Sequence, residues 1–231
     1  MMTTLYITGA GVSAESGIPT FRGEDGFWTI GSRNYTPQEM ATRSMYEQNP
    51  VQFLRWYYQR FASYRHHGPN AVHHWLADKN LITQNIDGLD GKAGNASYIA
   101  VHGRLDQMTI FHNQSLAAQV VPIETPWEHV DESHLDESLM AVFCINERPR
   151  IDESYKPFVL LFDEYYTELY RITEARQRMH SASRIVFMGT SFSVNITNMA
   201  LEIAMAQNTP IEIVDPRPVS VPYNNCLLYT S

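Results

Sequence analysis

The residues of this chain whose types and spacing can do chemistry fall in a few short stretches: His102 followed by a glycine, Asn85 and Asp87 two positions apart, and the glycine turns Gly9-Ala10-Gly11 and Gly189-Thr190-Ser191. An imidazole near neutral pKa can take a proton from a hydroxyl. The Asn85 amide beside the Asp87 acid can bind a carboxamide and hydroxyls together, or the two can build a hydrogen-bonded turn. Glycine at 9 and 11, between an apolar run and a helix start, lets backbone N–H groups approach a pyrophosphate beside the positive end of a helix. The alternative is a plain turn, and the spacing departs from G-x-G-x-x-G because Ser13, Ser16 and Gly17 follow Gly11. In "NPVQFLRWYYQRF", Tyr57 and Arg60 stand three apart on a helical pattern and so share a face. A guanidinium there can give a carboxylate two parallel hydrogen bonds; the alternative is an amphipathic helix with its aromatics in the core and Arg60 in water.

These residues need an open sheet to position them. Leu5-Tyr6-Ile7 reads as a buried strand, with a helix opening near Ser13. Residues 36–47 and 49–65 read as two helices with Pro37 and Pro50 near their starts, and Pro69-Asn70 begins another through Trp75. Leu81-Ile82-Thr83 is a strand running into Gln84-Asn85-Ile86-Asp87, and Tyr98 to Val101 a strand ending at His102. From about 112 to 156 the period is lost, around the acidic "ETPWEHVDESHLDES", which reads as an insert or small lobe. Phe158 to Phe162 reads as a strand, 164–180 as a helix, Arg184 to Met188 as a strand, 195–207 as a helix and Ile211 to Val214 as a last strand; "VPYNNCLLYTS" has no period. The alternation predicts an α/β fold, a Rossmann-like parallel sheet with helices on both faces and a small insert lobe. Asp215 after the last strand can accept from a ribose hydroxyl or cap a turn.

Composition narrows the function class. With 17 basic and 25 acidic residues, a net charge of -8 gives no basic field for a phosphate backbone, so a nucleic-acid partner is disfavoured. Two cysteines, Cys144 and Cys226, build neither a disulfide framework nor a four-cysteine zinc site, which fits a reduced compartment. A strand pattern begins within three residues and no 18-residue apolar run follows, so the expectation is a cytoplasmic chain with neither signal peptide nor membrane span.

The stretch "GAGVSAESGIPTFRG", followed in order by "TQNIDGL", "HG" and "GTSFSV", resembles the sirtuins, the NAD-dependent protein lysine deacylases, across residues 4–218 apart from the middle insert. The resemblance implies one sirtuin-like domain over 1–231, with a helical insert at 36–68 and a degenerate small lobe at 104–156. It implies that Ala10, Gly11, Glu15, Thr20, Phe21 and Arg22, with Gly9 and Trp28, bind NAD around its diphosphate and nicotinamide ribose. Gln84, Asn85, Ile86 and Asp87 would hold the nicotinamide end, and Gly189, Thr190 and Ser191 form the second nucleotide motif; Asp215 replaces an asparagine usual at the adenosine ribose. His102 and Asn85 would be catalytic. In the implied reaction the acyl oxygen attacks the ribose carbon, nicotinamide leaves, and His102 deprotonates a ribose hydroxyl on the way to O-acyl-ADP-ribose. Tyr57 and Arg60 look like the pair some sirtuins use to hold a succinyl or malonyl carboxylate, and Val159 and Phe162 lie on the strand where an acyl-lysine peptide adds as a further strand.

Three departures qualify this. Asp163 stands where the family usually has glycine, and Asp90 where it has histidine. Most sirtuins carry two C-x-x-C pairs after His-Gly, where this chain has "RLDQMTIFHNQSLAAQ". His112, His129 and His134 are irregularly spaced, so no structural zinc and no other metal is predicted. The resulting expectation is a zinc-independent deacetylase, with desuccinylase or demalonylase activity, acting as a monomer on acyl-lysine protein or peptide. The alternatives are an NAD hydrolase or ADP-ribosyltransferase with no acyl-lysine substrate, and a nucleotide sensor without chemistry.

Overall fold

Apolar runs bounded by glycine, proline and asparagine set where the elements fall in the computed structural model, which describes residues 3–20, 37–62 and 64–230, with the backbone alone at 37, 61, 62 and 116–118. In chain order they are β1 (Thr4–Thr8), a 3-10 helix (Ala10–Ser16), α1 (Pro37–Met40), α2 (Arg43–Gln48), α3 (Pro50–Ala62), α4 (Ala71–Trp75), β2 (Asn80–Thr83), α5 (Leu89–Lys92), β3 (Ile99–Ala100), β4 (Gly103–Ile110) and β5 (Ile123–Glu124). There follow α6 (Leu135–Val142), β6 (Tyr155–Val159), α7 (Ile172–Ser181), β7 (Arg184–Met188), α8 (Asn195–Gln207), β8 (Ile211–Val214) and β9 (Cys226–Tyr229). Two compact units result, one from the described residues of 1–20, 67–101 and 171–231, the other from those of 21–66 and 102–170.

The first unit is a parallel six-stranded sheet in the order β3-β2-β1-β7-β8-β9. Its central strands are apolar, with Leu5, Ile7, Leu81, Ile82, Ile185 and Phe187 fully buried, as strands covered on both faces require. The chain leaves β1 for β2 on one side and later returns to β7 on the other, so the strand order reverses between β1 and β7, where open α/β sheets bind ligands. The loop after β1 is a 3-10 helix opening at Ala10, rather than a helix opening near Ser13; Gly17, with φ of 78°, ends it after seven residues. The segment after 220, without a period in the sequence, contributes β9 beside β8.

The second unit is built on an antiparallel sheet, β5-β4-β6, with α2, α3 and α6. Three expectations change here. The strand expected at 158–162 runs over Tyr155–Val159 and pairs with β4 rather than joining the parallel sheet. β4 itself was hidden in the sequence because a register shift between Arg104 and Met108 breaks its alternation. The helix expected over 36–47 is two, because the Thr42 hydroxyl accepts the Met45 N–H at 3.0 Å and the Asp163 carboxylate accepts those of Arg43 and Ser44 at 2.6 and 3.1 Å. The acid at position 163 thus has a structural task, holding the start of α2. The helix expected from 164 begins at Ile172, since the Glu164 side chain, 3% exposed, is drawn into the core and Arg171 has a left-handed φ of 54°.

That core is aromatic and ionic together. Tyr46 packs edge-on against Phe53 and Phe111, each at 5.1 Å. Lys156, 1% exposed, gives hydrogen bonds to the Val159 carbonyl at 2.9 Å and Glu164 Oε2 at 3.2 Å. Arg43 reaches Glu164 Oε1 at 3.4 Å while lying 4.1 Å over the Phe111 ring. Burial pulls the Lys156 pKa down, and Glu164 opposes that. Glu164→Gln should therefore cost about 3–5 kcal/mol in urea unfolding, because it strands a buried ammonium; a loss below about 1 kcal/mol would show that the pair carries no such weight.

Asp90, at the start of α5, is 1% exposed, and its Oδ1 has no hydrogen-bond partner among the described residues. Burial and the neighbouring Asp87 carboxylate push its pKa up to about 7, against a Thr83 hydrogen bond that lowers it. A carboxyl that holds its proton more tightly folded than unfolded supports folding fully below its unfolded pKa and loses that support as pH rises through about 7. The stability gain of Asp90→Asn over the parent should be larger at pH 8 than at pH 5 by about 2–3 kcal/mol in urea melts. Equal gains at both pH values would remove Asp90 as a buried acid.

Candidate functional site

In the first unit, the loops after β1, β2 and β7 meet at the reversal of strand order. The glycines are there for each other: a Cβ on Gly11 would lie 2.7 Å from Gly189 Cα, and one on Gly9 2.8 Å from the Gly189 oxygen. The Gly9 and Gly11 N–H groups donate to the Met188 and Gly189 carbonyls at 3.0 and 2.9 Å. These two donors are therefore spent on joining the loops.

Side chains tie the third loop to the other two. Gln84 Nε2 donates to the Thr8 carbonyl at 3.1 Å and Thr190 Oγ1 at 3.2 Å. Asn85 Nδ2 donates to the Gly9 carbonyl and Ser13 Oγ, both at 3.1 Å. Ser13 Oγ in turn donates to Asp87 Oδ2 at 2.7 Å, while Asp87 Oδ1 accepts the Leu89 N–H at 2.9 Å. Asp87 thus closes a local turn and also joins the network. Asn85 is buried, and its Oδ1 has no hydrogen-bond partner among the described residues. A buried carbonyl oxygen costs free energy until a donor reaches it.

The sequence reading missed the support beneath this network. His73 is fully buried, its Nε2 is 3.4 Å from Ser13 Oγ, and burial lowers its pKa so that the ring is held neutral. Asn70 caps α4 through the Val72 and His73 N–H groups and donates to the Val12 carbonyl at 2.8 Å. Thr8 and Thr83 bond across the strands at 2.8 Å. The signal available was Asn70 with His73 three residues on, which form a capping box.

The remaining candidates in this unit stand differently. Glu15 is exposed, Thr20 and Ile86 are half-buried, and the exposed Ser191 bonds to Ser193 at 2.8 Å. Asp215 Oδ1 accepts the Arg217 N–H at 2.7 Å, which realises the turn-capping alternative at that oxygen. Phe21, Arg22 and Trp28 lie outside the described residues.

His102, Tyr57, Arg60, Val159 and Phe162 belong to the second unit. Gly103 begins β4 with φ of 83°, and a Cβ there would lie 2.0 Å from the Phe158 oxygen, so only glycine can follow this histidine. The His102 carbonyl accepts the Leu160 N–H at 3.0 Å, and its Nε2 lies 2.7 Å from Tyr166 Oη. Tyr57 and Arg60 are both buried, contrary to a solvated Arg60. The guanidinium stacks 3.9 Å over Trp56, and burial lowers its pKa to about 10. Burial raises the Tyr57 pKa and keeps its phenol neutral. Trp56 Nε1 is buried with no acceptor among the described residues. Val159 is buried in β6, an edge strand of its sheet, and Phe162 is 57% exposed with its N–H bonded to the Ala41 carbonyl at 3.0 Å. Among the described residues no group of three or more His, Cys, Asp or Glu could hold a metal ion, and no helix is long and apolar enough to cross a membrane.

Residues 9–196 match the Sir2 family. An NAD-dependent protein deacylase of Leptospira interrogans serovar copenhageni is 30% identical over 217 residues, 91% of this chain and 80% of that protein. NAD-dependent protein deacylase 1 of Caldanaerobacter subterraneus subsp. tengcongensis is 43% identical over 109 residues; that match spans 44% of this chain and less than half, 43%, of that relative. Among solved structures, a Sir2 homologue in complex with NAD superposes with a TM-score of 0.73 at 27% identity, covering 98% of this chain and 83% of that one. A Sir2 homologue in complex with 2'-O-acetyl ADP ribose superposes with a TM-score of 0.72 at 28% identity, covering 97% and 85%. The expected α/β fold with a parallel sheet is the fold of these proteins. A match over most of its length, and a relative 30% identical across nearly all of it, make this chain a member of the Sir2 family, the sirtuins.

Proposed function

We propose that this chain is an NAD-dependent protein lysine deacylase that releases nicotinamide and forms O-acyl-ADP-ribose. One observation carries the reading: three loops locked together at the strand reversal, with Asn85 Oδ1 left as a buried acceptor. That oxygen fits an amide or hydroxyl donor of NAD, and the Asp87 carboxylate beside it suits a site for hydroxyls and a carboxamide. The relatives' names and the NAD and acetyl-ADP-ribose complexes of similar proteins support the same activity.

NAD supplies an electrophilic ribose carbon from which nicotinamide can leave. The chain's residues hold and activate around it. Gln84, Asn85 and Asp87 bind the nicotinamide end, Gly9, Ala10, Gly11, Gly189, Thr190 and Ser191 enclose the phosphates and adenosine side, and His102 takes the proton from a ribose hydroxyl. A peptide lies along the edge strand carrying Val159, with Phe162 over the acyl-lysine stem. The acidic-acyl preference rests on Arg60. A guanidinium already stripped of water gains more from a carboxylate than a solvated one would, and the Trp56 indole N–H offers a further donor. With two cysteines in the whole chain, the C-x-x-C pairs usual in the family cannot form, and the enzyme works without that structural zinc. It acts as a cytoplasmic monomer on proteins rather than nucleic acids.

Mass spectrometry with NAD and matched acetyl-, succinyl- and unmodified lysine peptides tests the reading, following nicotinamide and peptide mass together. Coupled release and loss of the acyl mass is expected; nicotinamide release with no peptide change would make the chain an NAD hydrolase. His102→Ala should lower deacylation about 10²–10⁴-fold while NAD still binds by calorimetry, and deacylation at the parent rate would remove His102 from the mechanism. Arg60→Met should weaken desuccinylation at least about tenfold more than deacetylation. Equal losses on the two peptides would refute the acyl pocket.

A further inference from the structure

The second unit carries one polar contact at His102 that neither the sequence motifs nor the family match accounts for. Tyr166 Oη lies 2.7 Å from His102 Nε2, and the two rings are near parallel, at 29° with centroids 5.9 Å apart. A phenol hydroxyl can give to an imidazole lone pair or accept from its N–H, so this contact can hold the ring in place in either tautomer.

The segment holding Tyr166 is fixed on both sides. Two residues before it, Glu164 is buried against Lys156 and Arg43, and its N–H donates to the Leu161 carbonyl at 3.0 Å. Four residues after it, buried Tyr170 stacks on Phe158 of β6 at 5.3 Å and 9°. β6 in turn pairs Val159 with Gly103, the residue next to His102. Histidine and tyrosine are thus mounted on one frame, and the phenol is presented to the ring rather than recruited to it.

We propose that Tyr166 is the positioning residue of His102, fixing the ring plane through the bond at Nε2. The inference rests on the deacylase reading for its catalytic meaning, because it is in taking a ribose proton that the orientation of His102 matters. Departure of nicotinamide comes earlier and needs no base. The contribution is to orientation, which small misplacements degrade by an order of magnitude or more.

Tyr166→Phe keeps the ring and removes the hydroxyl. Three measurements on parent and variant decide the matter: peptide-dependent exchange of labelled nicotinamide into NAD, O-acyl-ADP-ribose formation with KM separated from kcat, and the ¹⁵N side-chain signals of His102, assigned by their absence in His102→Ala. The expected result is exchange within about twofold, product kcat down about tenfold with KM for NAD unchanged, and His102 ¹⁵N signals that shift and broaden in the variant as the ring loses its fixed orientation. Unchanged His102 signals in the variant would overturn the proposal. So would parallel losses of exchange and product, which would mean that the loop had merely been loosened. If the parent exchanges no nicotinamide with any acyl peptide, the deacylase reading fails, and the ¹⁵N signals still decide whether Tyr166 holds the His102 ring.

Discussion

The first unit depends on how closely two backbones can approach. The β1 and β7 loops touch through Gly9, Gly11 and Gly189, at separations that leave no room for a single methyl group. Because the backbones meet, the Gly9 and Gly11 N–H groups find carbonyls on the neighbouring loop. Gln84 and Asn85, arriving from β2, can then bond to both loops at once. A side chain at any of these glycines would separate the loops and break this set of bonds.

What the packing leaves over is as informative as what it satisfies. Nearly all buried polar atoms in a folded chain find partners. Asn85 Oδ1 and Trp56 Nε1, like Asp90 Oδ1, do not among the described residues, and the first two lie close in sequence to Asp87 and Arg60. An unsatisfied acceptor next to Asp87 and an unsatisfied donor next to Arg60 are complementary to quite different groups. The first suits an amide or hydroxyl, the second an anion.

The second unit is organised around charge taken out of water. Lys156, Glu164 and Arg43 tie β6, the chain following it and the start of α2 into one body. An ion cluster of this kind adds little net stability over apolar packing, but it fixes geometry, because any displacement leaves a charge unpaired. His102 benefits through β6 and through the segment that carries Tyr166. The aspartate at 163, out of keeping with the glycine usual there, belongs to the same arrangement, since its carboxylate holds two N–H groups of α2.

The sequence by itself determined the parallel sheet, because continuous apolar runs such as Leu5–Ile7 and Ile185–Phe187 can be buried only between layers. It also determined the family, because four motifs in fixed order are local strings that need no folding to be read. Tertiary structure alone decided the antiparallel sheet, since the bulge in β4 erases the alternation by which a strand is recognised. It alone brought His73 to Ser13, Asn70 to Val12 and Tyr166 to His102, because those pairings join positions 58 to 64 residues apart. It also showed that the glycines serve one another. Periodicity and composition report what a residue prefers, whereas which groups are left buried, paired or in want of a partner is settled only when distant segments pack.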